Sequence, residues 1–331
     1  MIHVFKIKGF YRGRNTRMND MEKYREKIKV ISFDREKNQM VEVEESKITF
    51  DDVGGMEDIK KKINMDFIMP IKNPEYFQAF GKKVGGSLLF YGPPGCGKTF
   101  LARAVAGEIN ANFIHLELQA ILSMWSGEAE KNLHEVFEEA RKTKPCILFI
   151  DELDAYGGNR QKMGAHHQRT LVNQLLVEMD GSNSFNEGVY IIGATNTPWY
   201  IDPALRRPGR FNSLVFVAPP NNEERLTILE LKTKDKPRME LQLDFVSKYA
   251  DHFSGADLTY LVEDAINEAI QRSFETGQLQ PLSNEDLLKA MKKRQPTTLD
   301  WFSTAKNYAT FSDVNKDFDK VLEYMEEHQL K

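Results

Sequence analysis

Gly92-Pro93-Pro94-Gly95-Cys96-Gly97-Lys98-Thr99 fits the eight-position pattern Gly-x-x-x-x-Gly-Lys-Thr. Glycines at these positions let backbone N–H groups come close to phosphate oxygens. The lysine can reach the β- and γ-phosphates, and the threonine hydroxyl can ligate Mg²⁺. The pattern carries weight only between a strand and a helix. Residues 87–91, Ser-Leu-Leu-Phe-Tyr, read as a short buried strand, and residues 100–106, Phe-Leu-Ala-Arg-Ala-Val-Ala, read as a helix. The competing reading is a Gly-Pro turn with an incidental lysine, and the strand–turn–helix setting disfavours it.

A second stretch, Ile147-Leu148-Phe149-Ile150-Asp151-Glu152-Leu153-Asp154, is an apolar run that ends in adjacent carboxylates. One carboxylate can hold a metal ion, and the next can activate a water for attack on a γ-phosphate. Taken alone, it could be a solvated strand end. Paired with the glycine-rich loop, it points to ATP hydrolysis rather than nucleotide binding only.

The chain has 331 residues, enough for two or three domains. Charged residues make up 28% and hydrophobic residues 41%, the balance of a soluble globular protein. A formal net charge of −4 provides no global attraction to nucleic acid or an anionic membrane. The short basic runs 60–62 and 292–294 read as solvated helix faces, with a local basic patch as the alternative. The two cysteines, Cys96 and Cys146, lie in the loop and before an apolar strand, without a CxxC pair. A reducing, cytoplasmic setting is expected. Residues 1–8 alternate charge with apolarity and lack the apolar centre of a secretory signal. No apolar run is long enough for a membrane span.

Three regions are expected. Residues 1–46 are polar and read as an N-terminal appendage of uncertain role. Segments 29–33 and 40–44 alternate like a hairpin around 34–39. Residues 47–218 alternate strands (87–91, 112–116, 146–150, 189–194, 214–217) with helices (98–109, 128–141, 166–179). This is the pattern of a doubly wound α/β domain with a parallel five-stranded sheet. Pro219-Pro220 breaks the pattern, and residues 219–331 read as a small all-helical lid with a C-terminal helix. Helical spacing runs over 223–232, 243–250, 255–274 and 283–293, with Ser254 as a start signal and Gly277 as a stop.

Asp51-Asp52-Val53-Gly54-Gly55, the glycine-rich loop, Asp151-Glu152 and residues 191–217 together resemble the AAA ATPases. The likeness is to the narrow-sense branch of AAA+ that includes valosin-containing-protein-like unfoldases, katanin and spastin, and it covers roughly residues 48–295. It implies a P-loop ATPase domain using ATP and Mg²⁺, a homo-oligomeric ring (usually a hexamer), and work done on protein substrates with or without adaptors. It implies no nucleic-acid partner.

The resemblance also assigns roles. Pro94, Gly95, Cys96, Gly97, Lys98, Thr99 and Phe100 would hold the nucleotide, and Thr99 and Asp151 the metal. Glu152 would polarise the attacking water. Asn196, in Gly193-Ala194-Thr195-Asn196, would orient it, or else be a strand-end turn residue. Arg207 and Arg210 would be fingers reaching a neighbouring subunit's site, or else a surface basic loop, with Arg206 a helper or structural. Met124, Trp125 and Ser126 would form a pore loop gripping polypeptide, with a core role for Trp125 as the alternative. Gly255 and Ala256 would line one side of the nucleotide base, and Asp52 and Gly54 the other. Asp180-Gly181 would begin an intersubunit signalling segment. Residues 157–167 would lie near a second pore loop.

Some positions depart from the family pattern. His252 stands where glycine is frequent, Asn212 where aspartate is common, and Ala129 where serine is usual. His134-Glu135 lacks the second histidine of a zinc protease motif. Trp301 and Phe302 are expected to pack on the lid or a neighbouring subunit. The expected function is a ring ATPase that remodels, unfolds or disassembles proteins by threading them through its pore. The alternative is a nucleotide-switched assembly factor that uses ATP turnover as a timer. A nucleic-acid motor is disfavoured by the acidic balance.

Overall fold

A computed structural model of the chain describes residues 42–81, 86–118, 121, 128–156, 165–180, 186–207, 209–311 and 318–330. The chain divides into two units, Met1–Glu42 and Val43–Lys331. Everything described below belongs to the second unit.

Its centre is a sheet of strands β1 (Val43–Glu45), β2 (Ser87–Tyr91), β3 (Asn112–Glu117), β4 (Cys146–Asp151), β5 (Val189–Thr195) and β6 (Phe211–Phe216). The order across the sheet is β1-β3-β4-β5-β2-β6. Strands β2 to β6 run parallel, and β1 joins β3 antiparallel. The five expected strands are all present. Every residue of β2 is buried, as are Cys146 to Ile150 of β4. Burial on both faces explains why these strands read as unbroken apolar runs rather than alternating ones.

Of the expected hairpin, residues 29–41 lie outside the described residues, and residues 43–45 form a strand. The alternation is that of a strand, but its partner is the edge of β3, with Val43 opposite Ile114. A local pattern marks a strand without marking its partner, and the open edge of β3 supplies one. The segment is also pinned to the first helix of the nucleotide loop. Ser46 Oγ donates to the Arg103 carbonyl at 2.7 Å, and Phe50 N–H donates to the Glu108 carboxylate at 3.0 Å.

The helices of the N-terminal part are α1 (Glu57–Ile63), α2 (Met69–Lys72), α3 (Pro74–Ala79), α4 (Lys98–Glu108), α5 (Glu128–Lys142) and α6 (Ala165–Asp180). Leu101, Val105 and Phe113 are buried in one core with Leu88, Phe90, Phe149, Ile192 and Val215. A helical region follows β6: α7 (Asn222–Thr233), α8 (Leu243–Tyr249), α9 (Gly255–Thr276) and α10 (Asn284–Lys293). It has its own core of Leu229, Val246, Leu258, Leu261 and Leu287.

The start of α9 is fixed by a capping box. Ser254 Oγ accepts the Asp257 N–H at 3.1 Å, and the Asp257 carboxylate accepts the Ser254 N–H at 2.9 Å. Gly277 ends the helix at φ 69°, a left-handed conformation that glycine adopts without a Cβ penalty. Both expected signals act where the sequence placed them.

Helices α11 (Thr298–Phe311) and α12 (Asp319–Glu327) complete the described chain. Trp301 and Phe302, expected to pack on the lid of residues 219–331 or on a neighbouring subunit, meet α12 of that region and the sheet edge as well. They join a separate buried cluster with Tyr91, Phe318, Val321 and Met325. Trp301 stacks on Phe216 with ring centroids 6.1 Å apart, and Phe302 stacks on Tyr324 at 5.2 Å. The physical reason is at the sheet edge: β6 ends in Phe216 and β2 in Tyr91, and the aromatic face they form is covered by α11 and α12. Removing a fully buried phenylalanine from such a site costs about 3–5 kcal/mol. Phe302→Ala is therefore expected to lower stability by that amount in chemical denaturation, whereas truncating the exposed Leu279 should change it little.

Candidate functional site

The parallel strands end together, and their C-terminal ends carry the chemistry. Tyr91 of β2 lies opposite Thr195 of β5, and Glu117 of β3 lies opposite Asp151 of β4. From β2 the chain passes over β5 and β4 to reach β3, which leaves a crevice beyond the strand ends where ligands of such sheets bind.

The glycine-rich loop turns out of β2 into this crevice. Gly92 has φ 149°, and a Cβ there would come within 2.2 Å of the Val217 carbonyl oxygen. Gly95 has φ 75°, and a Cβ would sit 2.7 Å from that of Ala256. Both positions therefore need glycine. Helix α4 starts at Lys98, directing its first N–H groups toward the loop, an arrangement that favours anions.

Lys98 is buried, and its ammonium donates to the Gly92 and Pro93 carbonyls at 2.9 and 2.8 Å. Burial pushes its pKa down to about 8, while the negative charges of Asp151 and Asp154 pull the other way. The Cys96 thiol is pushed up to about 12, chiefly by burial, which leaves it protonated and inert.

Thr99 Oγ1 donates to Asp151 Oδ2 at 3.2 Å, and the Glu152 N–H donates to Asp151 Oδ1 at 2.9 Å. Burial raises the Asp151 pKa, but His115, the Glu152 N–H and Thr99 outweigh it and hold the carboxyl below its ordinary value. An anionic carboxylate next to a hydroxyl is a set of hard oxygen donors that fits Mg²⁺, an ion that takes few protein ligands and completes its shell with phosphates and water.

Glu152 occupies the left-handed region at φ 54°. Such strain in a non-glycine residue persists only where the surroundings enforce it. Burial raises its pKa, and the neighbouring charges of Asp151, Asp154 and Glu117 raise it further. Asp151 and Glu152 are adjacent carboxylates with opposite shifts. One is stabilised as an anion to hold charge, and the other is made a better proton acceptor.

Asp154 was quoted in the sequence without a role, and the structure supplies one. A short turn, Leu153–Tyr156, brings it back against the end of β5. There its carboxylate accepts from Thr195 Oγ1 and Thr197 Oγ1, both at 2.7 Å, and from the Asn196 N–H at 3.4 Å. The clue was the carboxylate three residues after Asp151, combined with two threonines flanking Asn196. His115 was also missed. It lies on β3 with its Nε2 3.6 Å from Asp151 Oδ2, and nothing in its local sequence marks it.

Ala256 N–H donates to the Gly95 carbonyl at 3.2 Å, so Gly255 and Ala256 do meet the loop. Asp52 is exposed and its carboxylate accepts the N–H of Thr49 within its own turn. Gly54 faces α7, where a side chain would touch Thr227. Phe100 is partly exposed beside Thr99. His252 has φ 62°, which explains why glycine suits that position. Burial lowers its pKa against the pull of Asp251.

Arg207 is exposed. Arg210 is held within the chain: its guanidinium donates to the Asp180 carboxylate at 3.0, 3.2 and 2.5 Å and to the Ala204 carbonyl at 2.7 Å. The Arg210 hydrogen bonds hold the Asp180 carboxyl below its ordinary range. Arg206 lies over the Phe318 ring at 6.0 Å, a packing role. Met124, Trp125 and Ser126 lie outside the described residues, as do residues 157–164 and the side chains of His166 and His167.

Residues 88–219 match the model of the ATPase family associated with various cellular activities (AAA). The match begins in β2 and ends just past β6, so it takes in the glycine-rich loop, Asp151, Glu152, Asp154, Asn196 and the Arg206–Arg210 segment. One consequence concerns pH. A triphosphate binds the charged form of Lys98, whose pKa in the free protein is about 8 against an ordinary 10.5. ATP affinity should be level below that pH and weaken above it, by up to roughly tenfold per unit. Lys98→Ala should bind weakly at every pH without this slope. Calorimetric titration of ATP across pH 7 to 10 checks the expectation.

Proposed function

We propose, from the premise that the chain belongs to the AAA family of ATPases through residues 88–219, that it hydrolyses ATP with Mg²⁺ as a ring. In this reading it uses the energy to remodel or unfold protein substrates. The observation that carries the catalytic part is the opposed pair at the end of β4: Asp151 held anionic by Thr99, His115 and the Glu152 N–H, and Glu152 strained and raised toward proton acceptance.

The geometry supports the following division of labour. The loop N–H groups and Lys98 bind phosphate oxygens. Lys98 leaves the Gly92 and Pro93 carbonyls to do so, exchanging two neutral acceptors for a charged one. Thr99 and Asp151 would hold Mg²⁺, which would supply positive charge to the phosphates when bound. Glu152 draws the proton from the attacking water. Asn196 orients that water with an amide that both donates and accepts and adds no charge. Gly255 and Ala256 close over the loop from the helical region.

Ring action rests on Arg207 and Arg210. Arg210 is carried by a segment tied to Asp180, the last residue of α6. Helix α6 begins just after residues 157–164, where the second pore loop is proposed. Helices transmit displacement over their length, so α6 links a substrate-facing loop to a finger directed at a neighbour's phosphates. Trp125 is proposed as the pore-facing grip, whose large rigid face packs against varied side chains. The proposed setting is the cytoplasm, consistent with two free, buried cysteines. Among the described residues no helix is long and apolar enough to cross a membrane.

Two outcomes test this reading. Glu152→Gln should cut ATP turnover by about 10²- to 10⁴-fold while ATP binding persists. Loss of binding with loss of turnover would instead make Glu152 structural. Trp125→Ala should keep basal ATPase activity but lose its stimulation by an unfolded polypeptide such as casein. Stimulation equal to that of the wild type would remove the threading mechanism and favour the timer reading.

A further inference from the structure

We infer that Trp301 is a positioning residue for ATP hydrolysis, holding the backbone of Asn196 from a helix that lies outside the nucleotide-binding residues. This rests on the ATPase reading above and assigns part of the site to the C-terminal helix α11.

Asn196 is the first residue beyond β5, and its peptide groups are held on both sides. Its N–H faces the Asp154 carboxylate at 3.4 Å, and its carbonyl accepts from Trp301 Nε1 at 2.5 Å. An indole N–H donates only, and a buried one without an acceptor costs free energy. Trp301 is nearly buried, so the bond fixes where the residue 196 carbonyl must lie. The ring has little freedom to follow a displaced partner. It stacks on Phe216 with an interplanar angle of 14°, meets Phe302 edge-on at 5.2 Å, and lies 5.7 Å from Trp199.

The same helix is tied to the other wall of the site. Thr298 Oγ1 donates to the His252 carbonyl at 2.5 Å, and Thr297 Oγ1 donates to the Asp257 carboxylate at 3.0 Å. Asp257 is the capping carboxylate of α9, whose Ala256 N–H reaches the Gly95 carbonyl. The five residues from Thr297 to Trp301 therefore bind the start of α9 at one end and the strand end carrying Asn196 at the other. A change in the angle of α9 over the glycine-rich loop is passed to Asn196 through this segment.

A filler role for Trp301 and a positioning role predict different kinetics. Trp301→Phe keeps an aromatic ring in the cluster and removes the donor. Misplacing an orienting group by a fraction of an ångström to an ångström costs roughly ten- to a hundredfold in rate. Trp301→Phe is therefore expected to lower kcat for ATP by about that factor, with KM for ATP and the melting temperature close to wild type. The control is Trp199→Phe, which removes a neighbouring indole whose Nε1 has no hydrogen-bond partner among the described residues. It should leave kcat unchanged. Wild-type kcat in Trp301→Phe would overturn the proposal. So would a fall in kcat matched by a rise in KM and a drop in melting temperature, shared by Trp199→Phe. Wild type and Lys98→Ala turning over ATP equally would instead overturn the ATPase reading on which it rests.

Discussion

The site depends on a buried lysine facing a row of carboxylates at the ends of parallel strands. Lys98 is taken out of water at a cost that pulls its pKa down to about 8. Burial raises the Glu152 pKa, and the neighbouring charges of Asp151, Asp154 and Glu117 raise it further. Neither set is comfortable in isolation. The loop carbonyls hold the ammonium, hydrogen bonds from Thr99 and the Glu152 N–H hold Asp151 with the His115 ring 3.6 Å away, and two β5-end threonines hold Asp154. Such a cluster suits a ligand that brings both anionic oxygens and a divalent cation, since each then finds its opposite charge.

That cluster exists only because the sheet places it. Strands β2, β4 and β5 finish in register, and each contributes the residues just past its last ladder pair. The helical region and the C-terminal helices then brace the result from two directions. Ala256 meets Gly95 on one side and Trp301 meets Asn196 on the other. Catalytic strain, visible in the left-handed Glu152, is borne by this surrounding framework rather than by the loop itself.

Much of this was legible in the sequence, for identifiable reasons. Strands buried on both faces read as apolar runs, so β2 to β5 were found to within a residue, whereas β6 starts at Phe211 instead of the expected 214. The glycine-rich loop and Asp151-Glu152 are local signals whose chemistry follows from residue type and spacing. Contacts made at a distance left no such mark. His115 is one histidine on a strand, and only the pairing of β3 with β4 brings it to Asp151. Trp301 was expected on the lid or a neighbouring subunit, but nothing nearby in sequence says that it would also choose Phe216 and the Asn196 carbonyl. Residues 43–45 were recognisable as a strand, and their partner was not. His252 ran the other way: its departure from glycine was noticed in sequence, and its left-handed backbone supplies the physical reason.

The central claim is that hydrolysis is shared between subunits, with Arg210 leaving Asp180 to complete a neighbour's site. The most direct measurement is ATPase rate as Arg210→Ala subunits are mixed with wild type at fixed total concentration above the assembly point. A shared site predicts a rate that falls out of proportion to the wild-type fraction, with each inactive finger silencing an otherwise intact neighbour. A rate strictly proportional to the wild-type fraction, together with specific activity that does not change on dilution, would contradict it and make each subunit a self-sufficient ATPase.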